Sequence, residues 1–397
     1  MDPHRLKIIN GTVFGLAGVL HHGNVLIAEG KIVSVSDRNE EFDGAVEIDA
    51  GGKYVAPGFI DIHVHGGGGH DFMDGTENAF LQIAALHARH GTTAMLPTTL
   101  SASREELIAT LSAYEKADKK NADGSQYLGM HLEGPYFAMS QRGAQDPRYI
   151  RDPDPEEYEH ILSLSPHIRR WSAAPELKGA MEFGRYMRDH GVLPSLAHTD
   201  AIYEDVIDAF DNGYTLATHL YSGMSGVTRR NAFRYAGVIE SAFLIDDMDV
   251  EIIADGIHLP SPLLKLVYKI KGPKRIALIT DAMRAAGMPP GPSTLGSLHN
   301  GLEVIVEDDV AKLLDRSSFA GSVATADRLV RSMIFMAGIP LAEAIAMITE
   351  TPARILGVDD RKGSLQQGKD ADLVIFDDQI IIDKTIIRGR IVYDRSK

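Results

Sequence analysis

The chain has 397 residues, 44% of them hydrophobic, which is ample for a large core with an appendage. Its 40 Lys and Arg against 55 Asp and Glu leave a net charge of −15, which argues against nucleic acid as a partner, because broad phosphate binding needs a basic face. With no cysteine there are no disulfides and no thiolate metal sites, so any metal must be held by His and carboxylates.

The opening MDPHRLKIIN lacks an apolar stretch of signal-peptide length, and no uninterrupted apolar run approaches ~20 residues, so a soluble cytoplasmic protein with no membrane partner is expected. The first segments, LKIINGTVF, GNVLIAEGKIVSVSD and AVEIDAGGKYV, are short β-type runs separated by Gly and Asn turn signals. The end of the chain repeats that style in GSLQQGKDADLVIFDD and IIDKTIIRGRIVYD. Neither end alone supplies a stable sheet. Residues 1–55 and 360–397 are therefore expected to combine in one small β-sandwich domain, with residues 56–359 inserted between them.

The inserted part alternates strands with amphipathic or Ala-rich stretches such as ENAFLQIAALHARH and SREELIATLSAYEKA. Strands are predicted at FIDIHVH, TTAMLPTT, YLGMHLEGP, WSAAPE, LPSLAHTD, YTLATHLY, VEIIADGIH and RIALITDAM. Eight strands alternating with helices predict an α/β protein with a (β/α)8 TIM barrel.

In such a barrel the chemistry sits at the C-terminal ends of the strands. The first strand ends in His63 and His65, whose side chains share a face because strand side chains alternate. Gly66 to Gly69 follow and are expected to leave the space beyond them open. The third strand brings His131 and Glu133, the fifth His198, the sixth His219, the seventh Asp255 and His258, and the eighth Asp281. One such residue means little; six strands delivering His, Glu or Asp to one rim point to a shared metal site. Imidazole and carboxylate without thiolate suit zinc first, with iron, nickel, manganese or cobalt as alternatives. Glu133, His198 and His219 make a three-ligand set; His63 and His65 can hold a second ion with Glu133 bridging, so one or two ions remain open. Asp281, at the end of RIALITD, is the candidate proton donor to a leaving group.

VAPGFIDIHVHG resembles the PG-x-IDxHxH signature of the amidohydrolase superfamily. GMHLEGPYF, AHTD, ATHLYSGM, IIADGIH, ITDAM and FAGS narrow the likeness: their order and spacing are similar to the N-acetylglucosamine-6-phosphate deacetylase family. The resemblance implies Glu133, His198 and His219 as metal ligands, Asp281 as general base and acid, and His258 as a contact to the substrate and its carbonyl. It implies sugar or phosphate contacts at Ala144, Gln145 and Arg230, and a sugar or acetyl pocket at Phe319, Ala320 and Gly321. The family pattern has Asn-Ala after the THLY stretch where this chain has Ser222 and Gly223, placed at the sugar or phosphate contact. Arg229 and Arg234 compete with Arg230 for the phosphate, and spacing from His219 favours Arg230. A small amino-sugar phosphate as substrate and a homodimer follow from the likeness.

Rival readings are another amidohydrolase acting on a cyclic amide or on N-acetylgalactosamine 6-phosphate, and a metal-free scaffold barrel. WSAAPE has no lysine to bridge two metals as in many cyclic amidases, which counts against the first.

Overall fold

The computed structural model describes residues 5–15, 18–38 and 40–397. Residues 1–4, 16, 17 and 39, within the expected terminal β segment, lie outside the described residues.

All eight predicted strands of the inserted part form. They are β1 (Phe59–Val64), β2 (Thr92–Pro97), β3 (Met130–Glu133), β4 (Ile168–Ala173), β5 (Leu193–Leu196), β6 (Leu216–Ala217), β7 (Asp249–Ile252) and β8 (Ile276–Leu278). β3 to β8 pair in sequence order in a six-stranded parallel sheet, while β1 and β2 pair in parallel in another, extended by Gln126–Tyr127. A parallel bridge between Thr98 and His131 links the ends of β2 and β3. On the other flank the Asp281 N–H donates to the His63 carbonyl at 2.9 Å, and His65 N–H to the Ala282 carbonyl at 2.9 Å. The architecture is mixed α/β, with parallel strands buried nearly throughout, as expected where helices cover the outside.

The two predicted amphipathic stretches are helices over Glu77–Arg89 and Arg104–Asp118. Ser103 caps the second: its Oγ accepts from the Glu106 N–H while the Glu106 carboxylate accepts from the Ser103 N–H, satisfying two donors the helix end would otherwise orphan. Phe80, Ile83, Leu107, Leu111 and Tyr114 from these helices are buried in the main core.

Both chain ends share one eight-stranded sheet. Its order runs Arg390–Asp394, Ile382–Ile387, Leu373–Phe376, Tyr54–Pro57, Arg5–Gly15, Gly18–Ala28 and Lys31–Ser36, with Val46–Asp49 also on Arg5–Gly15. Leu6, Ile8, Val25 and Ile27 from the first segment pack with Leu365, Leu373 and Ile375 from the last in a separate core. Lys31 Nζ reaches Asp370 Oδ1 at 2.7 Å, a charged link between the two ends. A three-stranded antiparallel sheet, Gly291–Leu295, Leu302–Glu307 and Val310–Leu313, follows β8 and overhangs the rim. No helix of the described residues is long and apolar enough to cross a membrane.

Candidate active site

Glu133, the last residue of β3, is the centre of the site. Its Oε1 lies 3.0 Å from His219 Nε2, 3.4 Å from His63 Nε2 and 3.5 Å from His198 Nε2, while Oε2 lies 3.4 Å from His65 Nε2. Asp281 Oδ1 stands 3.0 Å from His65 Nε2 and 3.4 Å from His63 Nε2. All six side chains are buried. Side chains from positions 63 to 281 thus meet at one mouth, and the Glu133 carboxylate is shared by two trios suited to a metal: His63, His65 and Glu133, and Glu133, His198 and His219.

The chain turns sharply as it leaves the strands. His198, His219 and Asp281 take left-handed backbone conformations, with φ of +46°, +33° and +47°. Each such residue costs on the order of 1–3 kcal/mol and persists only where the surroundings over-determine it. They do so here. The Ala138 N–H donates to the His198 carbonyl, Ser222 N–H to the His219 carbonyl, and Ser322 N–H to the Asp281 carbonyl, at 2.8–2.9 Å.

Hydrogen bonds on the far side of two of the rings, His198 and His63, set their direction. His198 Nδ1 lies 2.8 Å from the Gln141 carbonyl, to which it donates, leaving the Nε2 lone pair facing Glu133. His63 Nδ1 lies 3.3 Å from Glu251 Oε2. Gly223 allows the His198 arrangement: its φ is +57°, and a Cβ there would stand 2.7 Å from His198 Nδ1.

Burial and neighbouring charges shift Glu133, His65 and His63. Burial alone would raise the Glu133 carboxyl, yet His63, His198, His219 and His65 hold it well below the usual carboxylate range. Burial likewise opposes a proton on His65, yet Asp281 and Glu133 push it up to about 9. His63 goes the other way: burial outweighs its acidic neighbours and lowers it, leaving a neutral imidazole of the kind a metal uses. The donor set of imidazoles and carboxylates fits a borderline divalent ion.

A cleft of about 540 Å³ opens above this cluster, lined by His65, Glu133, His198, His219, His258 and Asp281. Ala144, Gln145, Ser222, Gly223, Phe319 and Gly321 line it too. Ala320 is fully buried behind that lining. Arg230 stands outside it, on an exposed hairpin of Thr228–Arg230 and Phe233–Tyr235, with its guanidinium over the Tyr235 ring at 5.4 Å. Gln145 is already engaged: its Nε2 donates to Glu133 Oε2 at 2.6 Å, and its Oε1 accepts from the Ser101 N–H at 2.8 Å. His258 Nδ1 donates to Asp255 Oδ2 at 2.7 Å, and its ring packs on Phe319. His131 turns away from the mouth to Ser172 Oγ, 2.6 Å from its Nε2.

The glycines after His65 do not leave open space. Gly66 and Gly67 are buried and pair with His70–Asp71, and a Cβ on Gly66 would sit 2.4 Å from the His70 carbonyl oxygen. They let the loop pack closely, which is the opposite use of a missing side chain.

Sequence reasoning missed two pairs of charged residues. Lys312 and Arg316 line the cleft from the overhanging sheet, tied to Glu307 and Asp308. Arg170 and Glu251, both fully buried, form an ion pair beneath the histidines. For Glu251 the visible signal was a charged residue between Val250 and Ile252 in an apolar strand.

An amidohydrolase-family model matches residues 54–392. The chain belongs to the amidohydrolase family. Within it, this amidohydrolase groups with the N-acetylglucosamine-6-phosphate deacetylases. It is 36% identical to such an enzyme of Vibrio furnissii over 361 residues, 90% of this chain and 88% of the relative. It is also 33% identical to an N-acetylgalactosamine-6-phosphate deacetylase of Escherichia coli O157:H7, over 98% of this chain and 95% of the relative. Among solved structures, the N-acetyl-D-glucosamine-6-phosphate deacetylase of Mycobacterium smegmatis, in complex with N-acetyl-D-glucosamine-6-phosphate, superposes with a TM-score of 0.89 at 30% identity, covering 98% of this chain and 99% of that one.

Proposed function

We propose that this amidohydrolase is a metal-dependent deacetylase that hydrolyses the acetamide of N-acetyl-D-glucosamine 6-phosphate to D-glucosamine 6-phosphate and acetate, in amino-sugar breakdown. The observation that carries the reading is Glu133 with four imidazole Nε2 atoms within 3.5 Å and Asp281 beside them at the foot of one cleft. Relatives of that activity, aligned over most of both chains, support it. Glu133, His198 and His219 would hold one divalent ion and His63, His65 and Glu133 a second, with zinc the first choice.

A bound divalent ion supplies Lewis acidity to the acetamide carbonyl and makes water acidic enough to attack at neutral pH. Asp281 accepts the proton that the attacking water loses. Its carboxyl suits the task, since burial would raise it but His63 and His65 hold it below the ordinary range, so it is ionised at neutral pH. It then passes the proton to the departing amine nitrogen. His258, fixed by Asp255, contacts the substrate carbonyl region through Nε2. Ser222, Gly223, Ala144 and Gln145 border the sugar and phosphate, with Phe319, Ala320 and Gly321 at the acetyl side. Lys312 and Arg316 are the cations that line the cleft, and Arg230 reaches the phosphate of a partner's site in a homodimer. The exposed Phe233 beside it, 72% accessible, supports such a contact.

The two parallel sheets are read as one closed (β/α)8 barrel over residues 56–359, a view supported by the bridge at Thr98 and the bonds at His63 and His65. Residues 1–55 and 360–397 form the small β domain, its sheet curled into a sandwich around the core of Ile8, Val25, Leu373 and Ile375. A charged sugar phosphate does not cross a bilayer unaided, which supports the cytoplasm as the enzyme's compartment.

A second reading, deacetylation of N-acetylgalactosamine 6-phosphate, is favoured by the Escherichia coli relative. Initial rates on both sugar phosphates, side by side, test the choice. Faster turnover of the gluco compound is expected; faster turnover of the galacto compound overturns it.

A further inference from the structure

The floor beneath the histidines carries a charge pair that the mechanism leaves unused. Arg170 on β4 and Glu251 on β7 are both fully buried, with Nη2 2.9 Å from Oε2 and Nη1 in close contact with Oε1. The remaining Arg170 donors are spent on the Ile62 carbonyl at 3.2 Å, Thr218 Oγ1 at 2.7 Å and Ser195 Oγ at 2.9 Å. A buried ion pair is poor evidence for stability, because well-packed apolar residues of similar volume often serve as well or better. Its position suggests another use. Glu251 Oε2 lies 3.3 Å from His63 Nδ1, on the side of the ring away from Glu133.

The four imidazoles differ in this respect. His198 donates its Nδ1 proton to a neutral carbonyl. Among the described residues, the Nδ1 atoms of His65 and His219 have no hydrogen-bond partner. His63 alone of the four has a carboxylate there. Such an acceptor fixes the tautomer, aims Nε2 and raises its basicity, and losing it typically costs about 10–100-fold in metal affinity. Glu251 Oε2 also stands 3.4 Å from the His219 main-chain N, but the main-chain bond from Leu220 N to the Glu251 carbonyl, 2.8 Å, does not depend on the side chain.

We propose that Glu251, anchored by Arg170, is a positioning residue that orients His63 and thereby holds the second divalent ion in the seat of His63, His65 and Glu133. The proposal rests on the two-ion reading given above. The test uses the full chain loaded with zinc and titrated with a competing chelator, with metal per chain read by mass spectrometry. The wild type should release its two ions in separable steps. Glu251→Gln should weaken one ion by about 10–100-fold and leave the other within a few-fold. Because Glu251→Gln strands the Arg170 charge, the double variant Arg170→Met/Glu251→Leu removes both charges and should show the same selective loss with its melting temperature preserved. Nitrogen-edited NMR of the zinc-loaded wild type should show a slowly exchanging His63 Nδ1 proton, assigned by its absence in His63→Gln. Unchanged affinity for both ions in either folded variant, or no protected His63 Nδ1 proton, overturns the proposal. A wild type that takes only one ion overturns the two-ion reading and this proposal with it, an outcome visible before any variant is made.

Discussion

Replacing Asp281 with asparagine separates proton transfer from everything else the residue does. The Asp281→Asn change keeps the shape of the side chain, and asparagine tolerates the left-handed φ of +47° nearly as well as aspartate. The main-chain bonds that hold the position, from Asp281 N to the His63 carbonyl and from Ser322 N to the Asp281 carbonyl, are untouched. The amide cannot take a proton from water or return one to the amine. General acid–base catalysis contributes about 10²–10⁴-fold per group. Because Asp281 serves both the addition and the collapse, the upper part of that range applies: a fall in kcat of about 10³–10⁴, or ~4–5.5 kcal/mol of barrier. The assay is acetate release at saturating sugar phosphate, with metal content and melting temperature measured on the same preparation. The wild-type rate should show no acid limb from this group at or above the ordinary carboxylate range, because His63 and His65 hold Asp281 below it despite its burial. A kcat within tenfold of wild type, with metal retained, would refute the assignment.

Other outcomes follow from particular contacts. His87 is buried with Nε2 donating to the Gly66 carbonyl at 2.9 Å, and burial lowers it to about 4 from an ordinary 6.5. The unfolded chain therefore binds a proton there first, so stability present above pH ~6.5 should be lost as pH falls toward 4, by roughly 3 kcal/mol, and His87→Gln should flatten that slope in urea titrations. Gly223→Ala puts a methyl 2.7 Å from His198 Nδ1 at a φ of +57°; it should destabilise by about 1–3 kcal/mol in thermal melts and weaken metal retention. The Lys312→Gln/Arg316→Gln double variant removes two cations lining the cleft; it should raise KM for the sugar phosphate at least tenfold, in steady-state kinetics, while leaving turnover of the unphosphorylated sugar unchanged.

Much of this arrangement was legible in the chain because parallel strands advertise themselves. Phe59–Val64 or Ile276–Leu278 are apolar runs ended by a polar residue and a loop former, and the rim residues His63, His65, Glu133, His198, His219 and Asp281 stand at those ends. What was illegible depended on partners distant in sequence. Arg170 and Glu251 are separated by 81 positions, and only pairing across β4 and β7 makes either tolerable inside. The tight packing of Gly66 against His70 could not be told from an open loop, since glycine serves both. GLEVIVEDDVAKLL carries alternation around an Asp-Asp turn, a readable hairpin, but nothing in it says that Lys312 ends above the mouth.

At issue is whether one buried cluster of imidazoles and acids performs metal-dependent amide hydrolysis on a phosphorylated N-acetyl hexosamine. Acetate release from N-acetyl-D-glucosamine 6-phosphate, followed on the purified chain before chelation, after it, and after zinc is restored, addresses it most directly. The rate should disappear with the metal and return with it. A metal-replete chain that releases no acetate, or one whose rate is indifferent to chelation that empties it, would refute metal-dependent deacetylation at this site.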